Sequence, residues 1–186
     1  MRDITPEAKA IRSFLNTVSL YADRDELASA ETFRAWLREK QGFDVTGPID
    51  DATLERAREL RNALRSLARA NHDGHEDPEA LATVNRIAAS LPLGVEFPAP
   101  GDARLVPRGD GVDRYLGELL AKVFLAMRDG TWSRIKICAA DDCQWAFVDA
   151  SKNRSRAWCS MKVCGNRAKV RNYQRRRKAQ EQGDQA

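Results

Sequence analysis

The sequence of 186 residues predicts a mainly α-helical N-terminal domain carrying a small β-hairpin, followed by a cysteine-centred module made of a hairpin and a helix. Three observations predict it. Apolar residues recur at helical spacing from Thr5 to about residue 91 and again from Val112 to Met127. Between Pro92 and Gly111, four prolines and four glycines exclude a helix interior. All four cysteines fall between positions 138 and 164.

The first helix opens on Thr5, Pro6 and Glu7, an N-cap, a first-turn proline and a first-turn acid, and its stripe is Ile11, Phe14, Leu15 and Val18. A second starts near Ser29, carries Phe33, Trp36 and Leu37, and stops at Gly42. The third opens near Asp50 or Asp51 and presents Leu54, Ala57, Leu60, Leu64 and Leu67 before Asn71 and Gly74 end it. Asp77 and Pro78 start a fourth, with Leu81, Val84, Ile87 and Leu91 on one face. Val95 with Phe97 and Leu105 with Val106 flank "PAPGD" and read as a hairpin or two short strands packed on the helices; an exposed loop is the alternative. The fifth helix has the widest stripe: Val112, Tyr115, Leu116, Leu119, Leu120, Val123, Phe124 and Met127. A boundary near Asp129 and Gly130 divides residues 1–130 from a module over 131–186.

A composition of 42% hydrophobic and 31% charged residues, with a mean hydropathy of −0.57, reads as a soluble globular protein. The opening "MRDITPEAKA" has no apolar leader, and no run approaches the roughly 18 apolar residues of a membrane helix. A cytosolic location without a membrane segment is the expectation. No Gly-rich phosphate loop is visible. His72 and His75 in "NHDGHED" read as a solvated turn, and Asp23, Asp25 and Glu26 as helix-start acids, so no enzymatic activity is expected.

In a reducing compartment a cysteine cluster is more often metal-binding or redox-active than disulfide-bonded. Cys138, Cys143, Cys159 and Cys164 form a C-x4-C-x15-C-x4-C pattern, two pairs at the long end of zinc-ligand spacing. Between the pairs, "QWAFVD" reads as a strand, "ASKNRS" as a turn and "RAW" as the return, with a helix after Cys159. Hairpin and helix meeting at one zinc ion make a treble-clef-like finger. Four protein ligands leave no position for water, so the site is structural, and zinc binding of roughly 10–16 kcal/mol would supply most of the module's folding free energy. Loss of one cysteine is expected to unfold the whole module. Trp145, Phe147 and Trp158 read as packing around the cluster. The competing reading is a thiol redox sensor whose cysteines are activated by Lys136, Lys162 and Arg167.

Charge is strongly segregated. Residues 134–178 hold 13 Lys and Arg against 3 Asp and Glu, a net +10, whereas the rest holds 18 against 24, a net −6. Such a module faces polyanions, nucleic acid foremost. Lys169, Arg171, Arg175, Arg176, Arg177 and Lys178 are candidate phosphate contacts. Asn166 and Arg167 are candidates either for base edges or for bonds within the module itself. Gly165 is explained by close approach of backbone to the metal loop.

The stretch from Cys138 to Lys169, C-x4-C-x3-F-x-D-x-S-x4-R-x-W-C-S-M-x2-C-G-N-R-x-K, resembles the CGNR zinc-finger family, named for Cys164, Gly165, Asn166 and Arg167. Upstream, "FLNTVSLYADRDELASAETFRAWLREKQG" is similar to the ABATE domain usually found ahead of that finger. The resemblance implies zinc at Cys138, Cys143, Cys159 and Cys164 and a role as a stress-related transcription regulator. The expectation is therefore a DNA-binding regulator whose N-terminal domain senses a small ligand or a protein partner. An RNA- or protein-binding module is the alternative.

Overall fold

The computed structural model describes residues 4–183. Helix α1 (Pro6–Leu15) is capped by the Thr5 hydroxyl accepting from the Ala8 N–H. It ends three residues before Val18, because Asn16 and Thr17 turn to other partners: the Thr17 hydroxyl donates to the Phe14 carbonyl, and Asn16 leaves the helix. Val18 instead opens strand β1 (Val18–Ser19), paired antiparallel with β2 (Arg24–Asp25). Helix α2 (Ala30–Gln41) starts at a capping box of Ser29 and Thr32 and stops at Gly42 in the left-handed region. Helix α3 (Asp51–Asp73) runs from the Asp50 cap to Gly74, and α4 (Pro78–Ser90) from the Asp77 cap.

Strands β3 (Leu93–Glu96) and β4 (Arg104–Pro107) form the expected antiparallel hairpin, Leu93 opposite Pro107 and Glu96 opposite Arg104. It packs on α5 (Gly111–Arg128) through Pro107, which lies so near Gly117 that a Cβ there would stand 2.8 Å from the proline Cβ. Val95 and Phe97 do not pack on the helices as expected; both are exposed, Val95 on the outward side of β3 and Phe97 beyond its end. Leu81, Phe124 and Met127 also face outward, because the buried stripes of α4 and α5 are narrower than their apolar composition.

The core is built on Ile11, Phe14 and Leu15 of α1, Leu60 and Leu64 of α3, and Leu116 and Leu119 of α5. At one end Phe14, Trp36, Phe43 and Tyr115 form an aromatic cluster with ring centroids 5.5–6.3 Å apart. Rings at these separations and tilts attract one another beyond the area they bury.

The core does not stop at Asp129. A 3-10 turn (Trp132–Arg134) leads into β5 (Ile135–Ile137), which pairs antiparallel with β6 (Ala146–Val148). Trp132, Ile135, Ile137, Ala146 and Val148 belong to the same buried cluster as the helices. Polar anchors reinforce the junction. Asn16 presents its amide to β6 like a strand edge, donating to the Ala146 carbonyl at 2.9 Å and accepting its N–H at 2.7 Å. From α3, Arg65 donates to the carbonyls of Leu15 (2.7 Å) and Gln144 (2.8 Å), and Asn71 to those of Trp132 and Ile135. Buried carbonyls without such donors would carry a large desolvation penalty.

The strand partner of β6 is therefore "IKI", ahead of the first cysteine, and not "RAW", ahead of the third. Ile135 and Ile137 bring two apolar side chains to the helical core, whereas residues 149–158 are irregular and bond the backbone flanking the hairpin at Asp149 N–H to the Arg134 carbonyl and Ala139 N–H to the Ala157 carbonyl. After them come a π-type turn (Met161–Gly165) and α6 (Asn166–Gly183). Among the described residues, no helix is long and apolar enough to cross a membrane.

Candidate metal centre

Hairpin β5–β6 is a wall shared by two clusters. Side chains alternate across it, so Ile135, Ile137, Ala146 and Val148 face the helices while Phe147 joins Cys138, Ala140 and Cys164 on the other side. The loop between the strands carries the first cysteine pair. Cys138 N–H donates to the Trp145 carbonyl, and the N–H groups of Cys143 and Gln144 both donate to the Ala140 carbonyl, a tight knuckle completed by Gln144 at φ 49°. Cys159 follows the irregular segment, and Cys164 sits in the π-type turn, whose start is capped by the Ser160 hydroxyl.

All four sulfurs lie within 4.8 Å of one another, with Cys143 to Cys159 and Cys159 to Cys164 each at 3.7 Å. None of the four is disulfide-bonded. Thiolates bound at about 2.3 Å to one tetrahedral ion stand roughly 3.8 Å apart, so the quartet fits a single metal ion of that size. Burial pushes the Cys143 thiol up to about 11 and the Cys159 thiol higher still. Burial also works against the Cys164 thiolate, but hydrogen bonds from Arg167 and the neighbouring thiols outweigh it and lower this group. At neutral pH Cys143 and Cys159 therefore part with their protons for a cation rather than for water.

The irregular segment is held by a buried ion pair. Lys136 Nζ lies 3.1 Å from Asp149 Oδ2, with their side chains 3% and 0% exposed. Asp149 also accepts the Ser151 N–H and hydroxyl on one oxygen and the Arg156 N–H on the other. Lys136 donates in addition to the Arg154 carbonyl. Arg134 ties down the carbonyls of Asp149 and Ser151. Arg156 stacks over Phe147, 5.2 Å from its centroid, and donates to the Cys159 carbonyl at 2.7 Å, which aims the third sulfur. Burial pushes the Asp149 carboxyl up, yet these donors hold it down at about 2.

Domain models now decide the relationship. The ABATE model, described as "Putative stress-induced transcription regulator", matches residues 10–129, well over half of the chain. The chain belongs to the ABATE family. A CGNR zinc-finger model matches residues 134–177. No curated protein matches the chain at a level that would mark a relative.

The residues that define the CGNR pattern are, in this finger, mostly its own scaffold. Arg167 donates to Cys164 Sγ at 3.5 Å and pairs with Asp142 at 3.2 Å, and Arg171 reaches the same carboxylate at 3.5 Å. Two cations of α6 thus clasp the knuckle that carries Cys143. Asn166 donates back to the Lys162 carbonyl inside its own turn. Gly165 is close to the Met161 side chain rather than to a metal-loop backbone: a Cβ there would lie 2.9 Å from Met161 Sδ. Of the three cations expected to activate thiols, Lys136 is committed to Asp149, and Arg167 is the one bonded to a sulfur.

Lys169, Arg175, Arg176 and Arg177 stand exposed along α6, and Arg171 joins them beyond its contact with Asp142. Lys178 lies on the same helix, its side chain outside what the structure describes. His72, in the last turn of α3, and His75, in the turn after it, are not part of the cysteine cluster. The ABATE helices and the CGNR finger meet through Asn16, Arg65 and Asn71, none of which a motif search for chemistry would select. In Asn16 the sequence did hold a signal, since it is one of the two polar residues of "FLNT", which opens the ABATE-like stretch.

Proposed function

We propose that the chain is a DNA-binding transcription regulator of the stress-response class, in which Cys138, Cys143, Cys159 and Cys164 hold one structural zinc ion and the ABATE half receives the signal, a small ligand or a protein. The observation that carries this reading is the sulfur quartet closed directly onto a basic helix: Cys164 lies in the turn that begins α6. Zinc suits four thiolates in tetrahedral array, and such a closed site supports folding and not catalysis. Free cysteines fit a reducing, cytoplasmic setting.

In this reading Lys169, Arg175, Arg176, Arg177 and Lys178 neutralise backbone phosphates, which supplies affinity without sequence choice. Arg167, Arg171 and Asn166 hold the finger together, and Arg171, exposed on the same helix, faces phosphate as well. Titration with duplex DNA over a series of salt concentrations tests the division. The double substitution Lys169→Ala with Arg176→Ala should lower the slope of log K against log salt by about 2 and leave the zinc content unchanged. An unchanged slope would remove α6 from the interface. Tyr173, 67% exposed among the arginines, favours single-stranded RNA as the second reading, because an aromatic face stacks on unpaired bases. Tighter binding to single-stranded RNA than to any duplex would select it.

A further inference from the structure

A groove of about 350 Å³ opens beside the cysteine cluster, walled by Tyr21, Trp145 and Val163, with Cys143, Cys159 and Cys164 in its lining. Its lining is almost wholly apolar. Tyr21 and Val163 stand exposed at its solvent side, whereas Trp145 is half-buried. The four sulfurs differ in access. Cys143 and Cys159 are half-buried; Cys138 and Cys164 are each 2% exposed, and Cys138 does not line the groove. Arg167 covers one side of Cys164 with its N–H at 3.5 Å. An entrance of this kind selects for apolar molecules, since a charged one would lose its hydration against Trp145 and Val163 while the cation of the lining, Arg167, is already paired with Asp142.

We propose that this groove admits small apolar electrophiles of the α,β-unsaturated carbonyl class to Cys143 and Cys159, making the cluster a covalent sensor for such compounds. In the reaction the thiolate sulfur forms a bond to the β carbon, the C=C π pair moves towards the carbonyl oxygen, and a solvent proton ends on the α carbon. No oxidant or reductant takes part. The product is a neutral thioether, a poorer metal ligand than a thiolate. On the zinc reading given above, one adduct therefore loosens the ion, and with it the Met161–Gly165 turn that begins α6. Electrophile stress would reach the basic helix through the metal.

The full chain, its zinc content measured first, is treated with limiting N-ethylmaleimide or with a sulfonated maleimide, adducts are mapped by peptide mass spectrometry, and zinc release is followed with a chromogenic chelator. N-ethylmaleimide should label Cys143 and Cys159 at least about tenfold ahead of Cys138 and Cys164, and faster than the sulfonated reagent, with zinc release tracking the first adduct. Val163→Trp, which fills the groove from an exposed position, should slow both adducts at least about fivefold while zinc content and circular dichroism stay unchanged. Equal labelling of all four cysteines, or no effect of filling the groove, overturns the proposal. A chain purified without zinc overturns the metal reading instead, and the effect of Val163→Trp on labelling still decides the groove.

Discussion

Replacing Cys138 with Ser is expected to release the metal and unfold the chain from about residue 158 onward, while the β5–β6 hairpin stays in place. The asymmetry follows from where the two halves of the finger draw their stability. Ile135, Ile137, Ala146 and Val148 are buried against the helical core, and Asn16, Arg65 and Asn71 bond the hairpin's backbone. None of that needs an ion. Downstream of Trp158 the apolar burial is small: Met161, Val163, Val170 and Tyr173 are exposed. The clasp of Arg167 and Arg171 on Asp142 adds exposed ion pairs worth about 0–1 kcal/mol each. Metal binding of roughly 10–16 kcal/mol, as in zinc-finger peptides, dominates that balance. Hydrogen exchange reads it directly: amides of the Met161–Gly165 turn and of α6 should lose protection, and those of Ile137 and Val148 should keep it. Collapse of both regions together would show that the finger folds as one unit, as its sequence alone suggests.

Asp149→Ala should lower global stability by about 3–5 kcal/mol, because it leaves the buried Lys136 ammonium without its counter-charge. It also strips acceptors from Ser151 and Arg156, so the segment that delivers Cys159 loses its anchor. The pH dependence has a defined sign. The folded Asp149 carboxyl sits at about 2, below its ordinary value of 3.8, so its contribution is complete above pH 4 and fades as pH falls towards 2. A depression of this size corresponds to about 2 kcal/mol. Urea unfolding of the wild type and of Asp149→Asn should accordingly differ most at neutral pH and converge in acid. A gap that stays constant from pH 7 to pH 2 would mean that the ion pair contributes nothing.

Much of the fold could be read in advance because its signals are local. Caps at Thr5, Ser29, Asp50 and Asp77 and stops at Gly42 and Gly74 each depend on a few neighbouring residues. The hairpin around "PAPGD" was legible for the same reason. The pairing of β6 was not, since two three-residue strands carry too little pattern to tell "IKI" from "RAW", and the choice was made by burial against α1 and α3. For the same reason the division near residue 130 is no division of the hydrophobic core. In the finger, spacing pointed to the four cysteines, but not to the work of Asp149, Arg156 and Asp142. A lone carboxylate or arginine in sequence looks like a solvated charge until the fold brings its partners to it. Arg167 stood open between base reading and local bonding, and its contacts with Cys164 and Asp142 give it a local task.

The central claim is that four sulfurs from a knuckle, a loop and a helix start converge on one ion. Metal analysis of the purified wild-type chain, with thiol titration before and after denaturation, tests it most directly. The account predicts one zinc per chain, four thiols shielded under native conditions and four released on unfolding with a chelator. No bound zinc, together with thiols that titrate freely in the folded protein, would contradict it.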